Sequence, residues 1–162
     1  FREPIYVVGL PGCGLSQSNP VNLAEVAKLP LAVPEAKSLR NAIDRACTII
    51  GVNLNLVAES DSTAVILDLV ERGVGYTILP VMPITPMLET QRIVGAPIVS
   101  PSLGRTIISC SPMLTRNPHT VKALHSELIA LLRPYVRKFK NAGVTWLAES
   151  ESDREPHQPG LI

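Results

Sequence analysis

Three polar residues stand directly before the most apolar helix that the sequence predicts. Ser60, Asp61 and Ser62 precede this helix, which we place at residues 63–72. A helix N-terminus has free N–H groups and about half a positive charge, so it attracts carboxylate, sulfate or phosphate. Serine hydroxyls suit such a ligand, whereas Asp61 suits it only if it caps the helix or meets a donor. We therefore predict ligand contacts from Ser60, Asp61, Ser62 and Thr63.

Helix capping alone is the alternative interpretation of the same three residues. One of these side chains can accept a hydrogen bond from a first-turn N–H, which is worth about 1 kcal/mol. The two interpretations are compatible, because three polar residues are more than one cap needs. The sequence leaves both open.

Other residues whose side chains could take part in catalysis or metal binding do not form a recognisable motif. The segment GLPGCGLS at 9–16 lacks the Gly-Lys-Ser/Thr ending of a phosphate-binding loop. The histidines and cysteines are widely spaced, and none of them pairs as a metal site or an activated nucleophile: His119, His125, His157, Cys13, Cys47 and Cys110. We find no Ser-His-Asp set and no paired carboxylates. We therefore predict no enzyme activity, no metal and no cofactor.

Helices and strands alternate along the chain. Their order must position Ser60, Asp61 and Ser62, which we call the corner. The pattern predicts strands at 4–9, 30–34, 53–59, 75–80, 92–101 and 105–111, and helices at 22–29, 38–51, 63–72 and 117–139, with a loop or a short helical turn at 81–90. The last helix should bury one stripe: Val121, Leu124, Leu128, Leu131, Tyr135 and Phe139.

Alternating strands and helices predict an α/β fold, with a mostly parallel sheet covered by helices on both faces. Ligands bind such sheets beyond the carboxyl ends of the strands. That rule adds further candidate ligand-binding residues at the ends of three strands: Gly9, Leu10, Pro11, Pro34 and Pro80.

The composition excludes several functional classes. Of the 162 residues, 46% are apolar and 18% charged, so the chain can bury a core. The net charge of +1 provides no basic surface for nucleic acid and no polybasic membrane patch. No apolar run reaches the length of about 18 residues that a transmembrane helix needs. An odd number of separated cysteines is typical of a reducing cytoplasm, and we predict a cytoplasmic location.

Several motifs resemble the effector-binding domain of LysR-type transcriptional regulators. The resemblance rests on LPLAVP at 29–34, on the Leu-Arg pair that opens the next helix, and above all on LVERGVGYTILP at 69–80. It covers roughly residues 1–140. The segments ESDS at 59–62 and RIVGAPIVSPSLGRT at 92–106 are most similar to the subset around the nitrogen assimilation control protein.

The resemblance implies two Rossmann-like lobes of periplasmic-binding-protein type, with a small-molecule effector, possibly anionic, in the cleft between them. Residues 13–98 would form the second lobe. Residues 1–12 and 99–140 would belong to an incomplete first lobe, and residues 141–162 would be a flexible C-terminal tail. The family also implies self-association to dimers or tetramers and DNA binding through an N-terminal winged helix-turn-helix that this chain lacks.

Two other functions fit parts of the pattern. A lobe of a periplasmic solute-binding protein would have the same fold, but the sequence shows no export signal. A fragment of an α/β enzyme would need a nucleophile or a base in the cleft, and no such residue stands out. We therefore expect a sensor module of a transcriptional regulator.

Overall fold

A computed structural model of the chain describes residues 1–35, 38–111 and 116–147. The elements follow one another in this order: β1 (Arg2–Gly9), β2 (Val21–Asn22), α1 (Leu23–Val26), β3 (Leu31–Pro34), α2 (Ser38–Ile50), β4 (Leu56–Ser60), α3 (Thr63–Glu71), β5 (Thr77–Pro80), α4 (Val81–Glu89), β6 (Val94–Val99), β7 (Gly104–Thr106), α5 (Pro118–Arg137) and a 3₁₀ turn (Lys140–Ala142). No helix within these ranges combines the length and apolar character needed to cross a membrane.

The strands form a mixed sheet with β1 in the middle. The hydrogen-bonded order is β2-β6-β1-β5, and β3 pairs with β4 beside it. A parallel bridge between Leu31 and Tyr76 joins β3 to the segment that enters β5. Strands β2 and β6 are parallel, and so are β3 and β4, whereas β1 is antiparallel to both β5 and β6. Strands β2 to β6 therefore run in one direction, and β1 runs against them.

Helices cover both faces of this sheet, as the sequence predicts. Alternate residues of β1 point to opposite sides, so Ile5 and Val7 join one hydrophobic cluster, whereas Tyr6 and Val8 join the other. Helices α1 and α2 complete the first cluster with residues such as Leu23 and Ile43. Helices α3 and α4 complete the second. The prediction of an α/β fold with helices on both faces is confirmed.

Residues 81–90 contain more helix than the predicted loop or short helical turn, because Val81–Glu89 form a nine-residue helix. Its prolines made the segment look irregular. Pro83 lies in the first turn, where the N–H has no partner within the helix in any case. Only Pro86 lies in the helix interior, and burial of Val81 and Ile84 compensates for the hydrogen bond lost there. Tertiary packing therefore outweighs the local helix-breaking tendency of the prolines.

The predicted strand at 105–111 is mostly wrong. Strand β7 ends at Thr106, after pairing with the amino end of β1. Backbone hydrogen bonds between Phe1 and Ile107 extend that pairing by one residue. Ile108 is 73% exposed and lies outside any strand. A β-branched run forms a strand only where a neighbouring strand offers its backbone, and β1 begins at Arg2.

The predicted buried stripe of α5 is also wrong over most of its length. Leu124 and Leu131 are 69% and 71% exposed, and Leu128 and Tyr135 are more than 40% exposed. The helix contacts the core through its last turns, where Val136 is buried and Phe139 packs beside it. The helical period marks an apolar face correctly, but within the described residues nothing covers that face.

The chain after α5 returns to the sheet, although we expected a flexible tail from residue 141. Val144 is 3% exposed, and Thr145 exchanges backbone hydrogen bonds of 2.8 and 2.9 Å with Arg2. Gly143 makes this return possible, since its φ of +85° suits glycine. The rest of the expected tail, residues 148–162, lies outside the described residues.

Gly75 allows the closest backbone approach in the sheet. A Cβ at this position would lie 2.4 Å from the carbonyl oxygen of Pro30, which accepts the hydrogen bond from Tyr76. We expect Gly75→Ala to lower the free energy of unfolding by about 2–3 kcal/mol, because β3 and β5 must separate. Urea denaturation monitored by circular dichroism measures this loss.

A suitable control is Gly12→Ala, since a Cβ there meets no atom within 4 Å. Its φ of +91° should still cost about 1 kcal/mol. Equal losses in the two variants would contradict the close-approach explanation.

Candidate functional site

The predicted corner lies where β3 and β4 end side by side. Pro34 pairs with Ser60 in the parallel ladder, and the N–H of Glu35 donates to the Ser60 carbonyl oxygen at 3.0 Å. Pro80 ends β5 at the same edge of the sheet, because β3 and the entry to β5 run in parallel. The structure therefore brings Pro34, Ser60 and Pro80 to one edge.

The two serines of the corner support the backbone. Ser62 is the N-cap of α3, and its Oγ accepts a hydrogen bond of 3.5 Å from the N–H of Val65. The N–H of Ser62 in turn donates to Oγ of Ser60 at 3.1 Å. The capping interpretation is therefore correct for Ser62, and Ser60 stabilises the turn before it.

Two backbone donors and one carboxylate at this corner remain open to solvent. The N–H groups of Thr63 and Ala64 have no acceptor among the described residues, as expected for the first turn of a helix. Asp61 is exposed and forms no hydrogen bond or ion pair with the described part of the chain. The corner thus offers donors from α3 and an acceptor from Asp61.

Arg40 connects the corner to α2, and the sequence analysis missed it. Its guanidinium pairs with Asp44, one turn along α2, at 2.8 Å and with Glu59, the residue before Ser60. Only 13% of the Arg40 side chain is exposed. Burial alone would lower the pKa of Arg40, but hydrogen bonds and charge attraction from the two carboxylates raise it above its usual value. Arg40 is therefore permanently charged and holds the end of β4 against α2.

Gly9, Leu10 and Pro11 lie at the opposite edge of the sheet. In the β1–β5 ladder Pro80 faces Ile5, whereas Thr77 faces Val8, next to Gly9. The structure therefore does not bring these three residues together with Ser60. The rule that ligands bind beyond the carboxyl ends of the strands grouped them with Ser60, because it assumed one direction for every strand. Strand β1 runs the other way. Pro11 instead borders an open groove with Leu88, Gln91 and Val94.

A buried ion pair beside the corner was also missed. Glu3 in β1 is 1% exposed, and its Oε1 accepts hydrogen bonds from Nε and Nη2 of Arg105 in β7 at 2.9 and 2.6 Å. Its Oε2 accepts from the N–H of Met82 in the first turn of α4 at 3.2 Å. One weak signal existed in the sequence, namely a glutamate at the start of an apolar strand.

The remaining side chains that could bind a metal or act as nucleophiles do not lie close together in the described residues. Among the described residues, no three His, Cys, Asp or Glu side chains form a group that could hold a metal ion. Cys13, Cys47 and Cys110 are free thiols. Burial, with a smaller effect from Asp44, raises the pKa of Cys47, so its reactive thiolate is disfavoured.

Arg40 should stabilise the domain more than a solvated arginine does. We expect Arg40→Met to lower the free energy of unfolding by about 1 kcal/mol, because Glu59 and Asp44 lose a largely buried partner. Amide hydrogen exchange at Ser60 and Asp61 should accelerate as the corner loosens. Urea denaturation and exchange measured by NMR test both effects.

Arg72→Met is the matched control, since Arg72 pairs with Asp68 at 2.6 Å but is 70% exposed. That variant should destabilise the domain less than Arg40→Met does, because solvent screens the exposed pair. If it destabilises the domain as much as Arg40→Met does, burial of Arg40 has no special role.

Comparison with known proteins places this geometry in a family. The model of the LysR substrate binding domain matches residues 1–133. No curated protein matches the chain.

Solved structures share the fold at low sequence identity. The regulatory domain of NMB2055 (MetR), a LysR family regulator from N. meningitidis, is 19% identical at a TM-score of 0.55, over 64% of this chain and 48% of that one. The effector binding domain of QuiR in complex with shikimate is 18% identical at a TM-score of 0.55, over 68% and 56% of the two chains. The reduced form of OxyR is 21% identical at a TM-score of 0.55, over 78% and 61%.

The chain spans about half the length of the regulator structures that it matches. The two-lobe fold class and the regulatory, effector-sensing character predicted from the sequence agree with these matches. The alternative of a solute-binding protein lobe is not favoured. By the match to residues 1–133, this chain belongs to the family of LysR substrate binding domains.

Proposed function

We propose that the chain senses a small-molecule effector for a LysR-type transcriptional regulator, and that the effector binds at the corner formed by Ser60, Asp61, Ser62 and Thr63. The observation that carries this proposal is the pair of unpartnered N–H groups at the start of α3, at the edge where β3, β4 and β5 end. Arg40 holds this edge in place, so an effector would meet a preorganised surface.

The hydrogen-bonding groups of the corner limit the chemical classes of effector that could bind there. An acceptor group, such as a carboxylate or hydroxyl oxygen, can receive hydrogen bonds from the N–H groups of Thr63 and Ala64. The exposed carboxylate of Asp61 disfavours a purely anionic molecule and favours one that also carries a hydroxyl or ammonium donor. Shikimate, the ligand of the QuiR domain, has both kinds of group and supports such an effector class.

The strand pairing bears on the predicted division into lobes at the start of the chain. Residues Arg2–Pro4 of β1 pair with β7, whereas Ile5–Gly9 pair with β5 and β6. We propose that residues 13–98 form the second lobe and that residues 1–12 and 99–140 are part of the first, with one change: Ile5–Gly9 join the sheet of the second lobe, so β1 crosses between the lobes near Pro4. An effector at the corner would then lie beside the crossing strands.

Self-association would use the outer face of α2 and the edge strand β4. Ile49 on α2 is 82% exposed, and Leu56 and Val57 of β4 are 38% and 47% exposed. Within the described residues β4 pairs only with β3, so its other edge is free. We propose that this face forms a dimer contact. Ile49→Asp should then shift the chain toward monomer in sedimentation velocity, and an unchanged distribution would exclude this face.

The remaining parts of the proposal concern the whole regulator. DNA binding would reside in an N-terminal winged helix-turn-helix outside this chain, and the protein would act in the cytoplasm. The ESDS segment and the segment at 92–106 favour the subset around the nitrogen assimilation control protein. The effector need only favour one arrangement of subunits by a few kcal/mol to change how DNA is bound.

Effector binding is tested first on the chain itself. Thermal-shift assays against amino acids, hydroxylated carboxylic acids, inorganic anions and aromatic acids should show a rise in melting temperature with the effector, by mass action. Ser60→Ala and Asp61→Ala should reduce that shift, because each alters the corner. Ser16→Ala and Asp68→Ala, both exposed and away from the corner, are the matched controls.

The same substitutions test the regulatory role in the intact regulator. Ser60→Ala and Asp61→Ala should weaken the response to effector and leave DNA binding without effector near normal. If both variants respond like the unmodified regulator, the corner is only a helix cap.

A further inference from the structure

A groove lies beside the first residues of β6, at the edge of the sheet opposite the Ser60 corner. The residues around it are Pro11, Leu15, Ser16, Gln17, Leu88, Gln91, Ile93, Val94 and Gly95, and we call it the β6 groove. Its volume is about 440 Å³, which lies in the usual range for small-molecule sites. None of these residues belongs to the corner, so a ligand of the groove would be additional to the proposed effector and independent of it.

The pairing of β5 determines which way the backbone of β1 points. Tyr76, just before β5, uses both of its backbone groups on β3, since its N–H donates to Pro30 and its carbonyl oxygen accepts from Ala32, each at 2.8 Å. The backbone groups of successive residues in a strand point to alternate sides. Thr77 therefore faces β1, where it lies opposite Val8. The N–H and C=O of Val8 are thus used by β5.

This pairing leaves Gly95 without a hydrogen-bond partner in β1. Gly95 also lies opposite Val8, on the other side of β1, so these two residues form a pair without hydrogen bonds. The N–H and C=O of Gly95 both point to the side of β6 on which β2 lies. Strand β2 begins at Val21, opposite Ile98, and does not reach back to Gly95. No other backbone group of the described residues bonds to Gly95 on that side.

The two free backbone groups of Gly95 are buried at the wall of the groove. Gly95 is buried, and it lines the groove across from Leu15, Ser16 and Gln17. Buried backbone N–H and C=O groups almost always have a partner, because leaving them without one costs the free energy of removing them from water. The groove therefore contains one donor and one acceptor, side by side, whose partner is not part of the described chain.

The free edge is too short for an added strand. Ile93, the preceding residue of the same parity, already donates its N–H to the carbonyl oxygen of Met87. Pro97, the following one, has no N–H to donate. An added β-strand draws its affinity from a series of main-chain hydrogen bonds, whereas Gly95 offers a single pair. This edge therefore suits one amide group.

The side chains around the groove are uncharged. No Asp, Glu, Lys or Arg lines it. Leu15 and Leu88 provide apolar contacts, and Gln17 and Gln91 provide neutral polar groups. A charged ligand would lose water here without gaining an opposite charge, so the lining favours a neutral molecule.

We propose that the β6 groove binds a small uncharged molecule that carries a primary carboxamide on a short aliphatic body. The carbonyl oxygen of the carboxamide accepts a hydrogen bond from the N–H of Gly95, and its NH₂ group donates to the Gly95 carbonyl oxygen. These two bonds repeat the pair that opposite residues exchange in an antiparallel sheet. The aliphatic body lies against Leu15 and Leu88.

The first test is amide hydrogen exchange of the chain without ligand, followed by NMR. The N–H of Gly95 should exchange at least about tenfold faster than those of Val94 and Ala96, which point to β1. Equal protection of Gly95 and Ala96 would show that the Gly95 N–H already has a partner, and would overturn the proposal.

The second test is titration with isovaleramide, for which a Kd on the order of 1 mM is expected from two neutral hydrogen bonds and a short apolar body. The N–H resonance of Gly95 should shift, and its exchange should slow. Methyl isobutyl ketone has the same shape and keeps the carbonyl but has no N–H, so it should bind about fivefold more weakly. Equal affinity for the two molecules, or shifts that centre on Thr63 and Ala64 at the corner, would contradict the assignment.

A filling variant tests the location of the site. Gln17→Trp, at an exposed position on the wall, should occupy the groove and weaken isovaleramide at least about fivefold. Asn53→Trp, an exposed position before β4 and outside the groove, is the matched control and should bind normally. Unchanged affinity in Gln17→Trp would exclude the groove. If that variant fails to fold, the amide–ketone pair and the exchange of Gly95 in the unmodified chain still decide the question.

Discussion

The direction of β1 is the constraint on which the rest of the domain depends. This strand lies between β5 and β6 and runs against both, with Ile5 and Val7 in one hydrophobic cluster and Tyr6 and Val8 in the other. A strand buried on both faces couples the two layers of helices, because each of its side chains packs into one of them. Its amino end emerges at the same edge as the carboxyl ends of β3, β4 and β5, and its carboxyl end emerges at the opposite edge. The position of the Ser60 corner follows from this arrangement.

Charged groups hold that edge at two places. Arg40 ties α2 to the end of β4, and Glu3 joins β1 to Arg105 in β7 and to the start of α4. Ion pairs in water contribute little, but these pairs are partly or largely removed from solvent, and loss of one partner would leave a charge poorly solvated. They therefore contribute more to positioning than to net stability. The corner is built on elements that these contacts orient.

Large apolar side chains are exposed on several elements, among them Ile49 on α2. Helix α5 exposes Leu124, Leu128 and Leu131, and the segment after β7 exposes Ile108. The sheet layer around β1 is in contrast well filled on both sides. The chain spans about half of the regulator structures that it matches.

The sequence by itself determined most of the elements and the α/β fold class. Periodicity and capping are local properties, so α2, α3 and β3 were placed within a few residues, and Ser62 was among the predicted caps. The tertiary structure decided the direction of β1, the helix at Val81–Glu89, the exposure of α5 and the pairing of Glu3 with Arg105 across 102 positions. Each of these depends on which segment packs beside another. That information is distributed over distant residues, so no local pattern in a single sequence contains it.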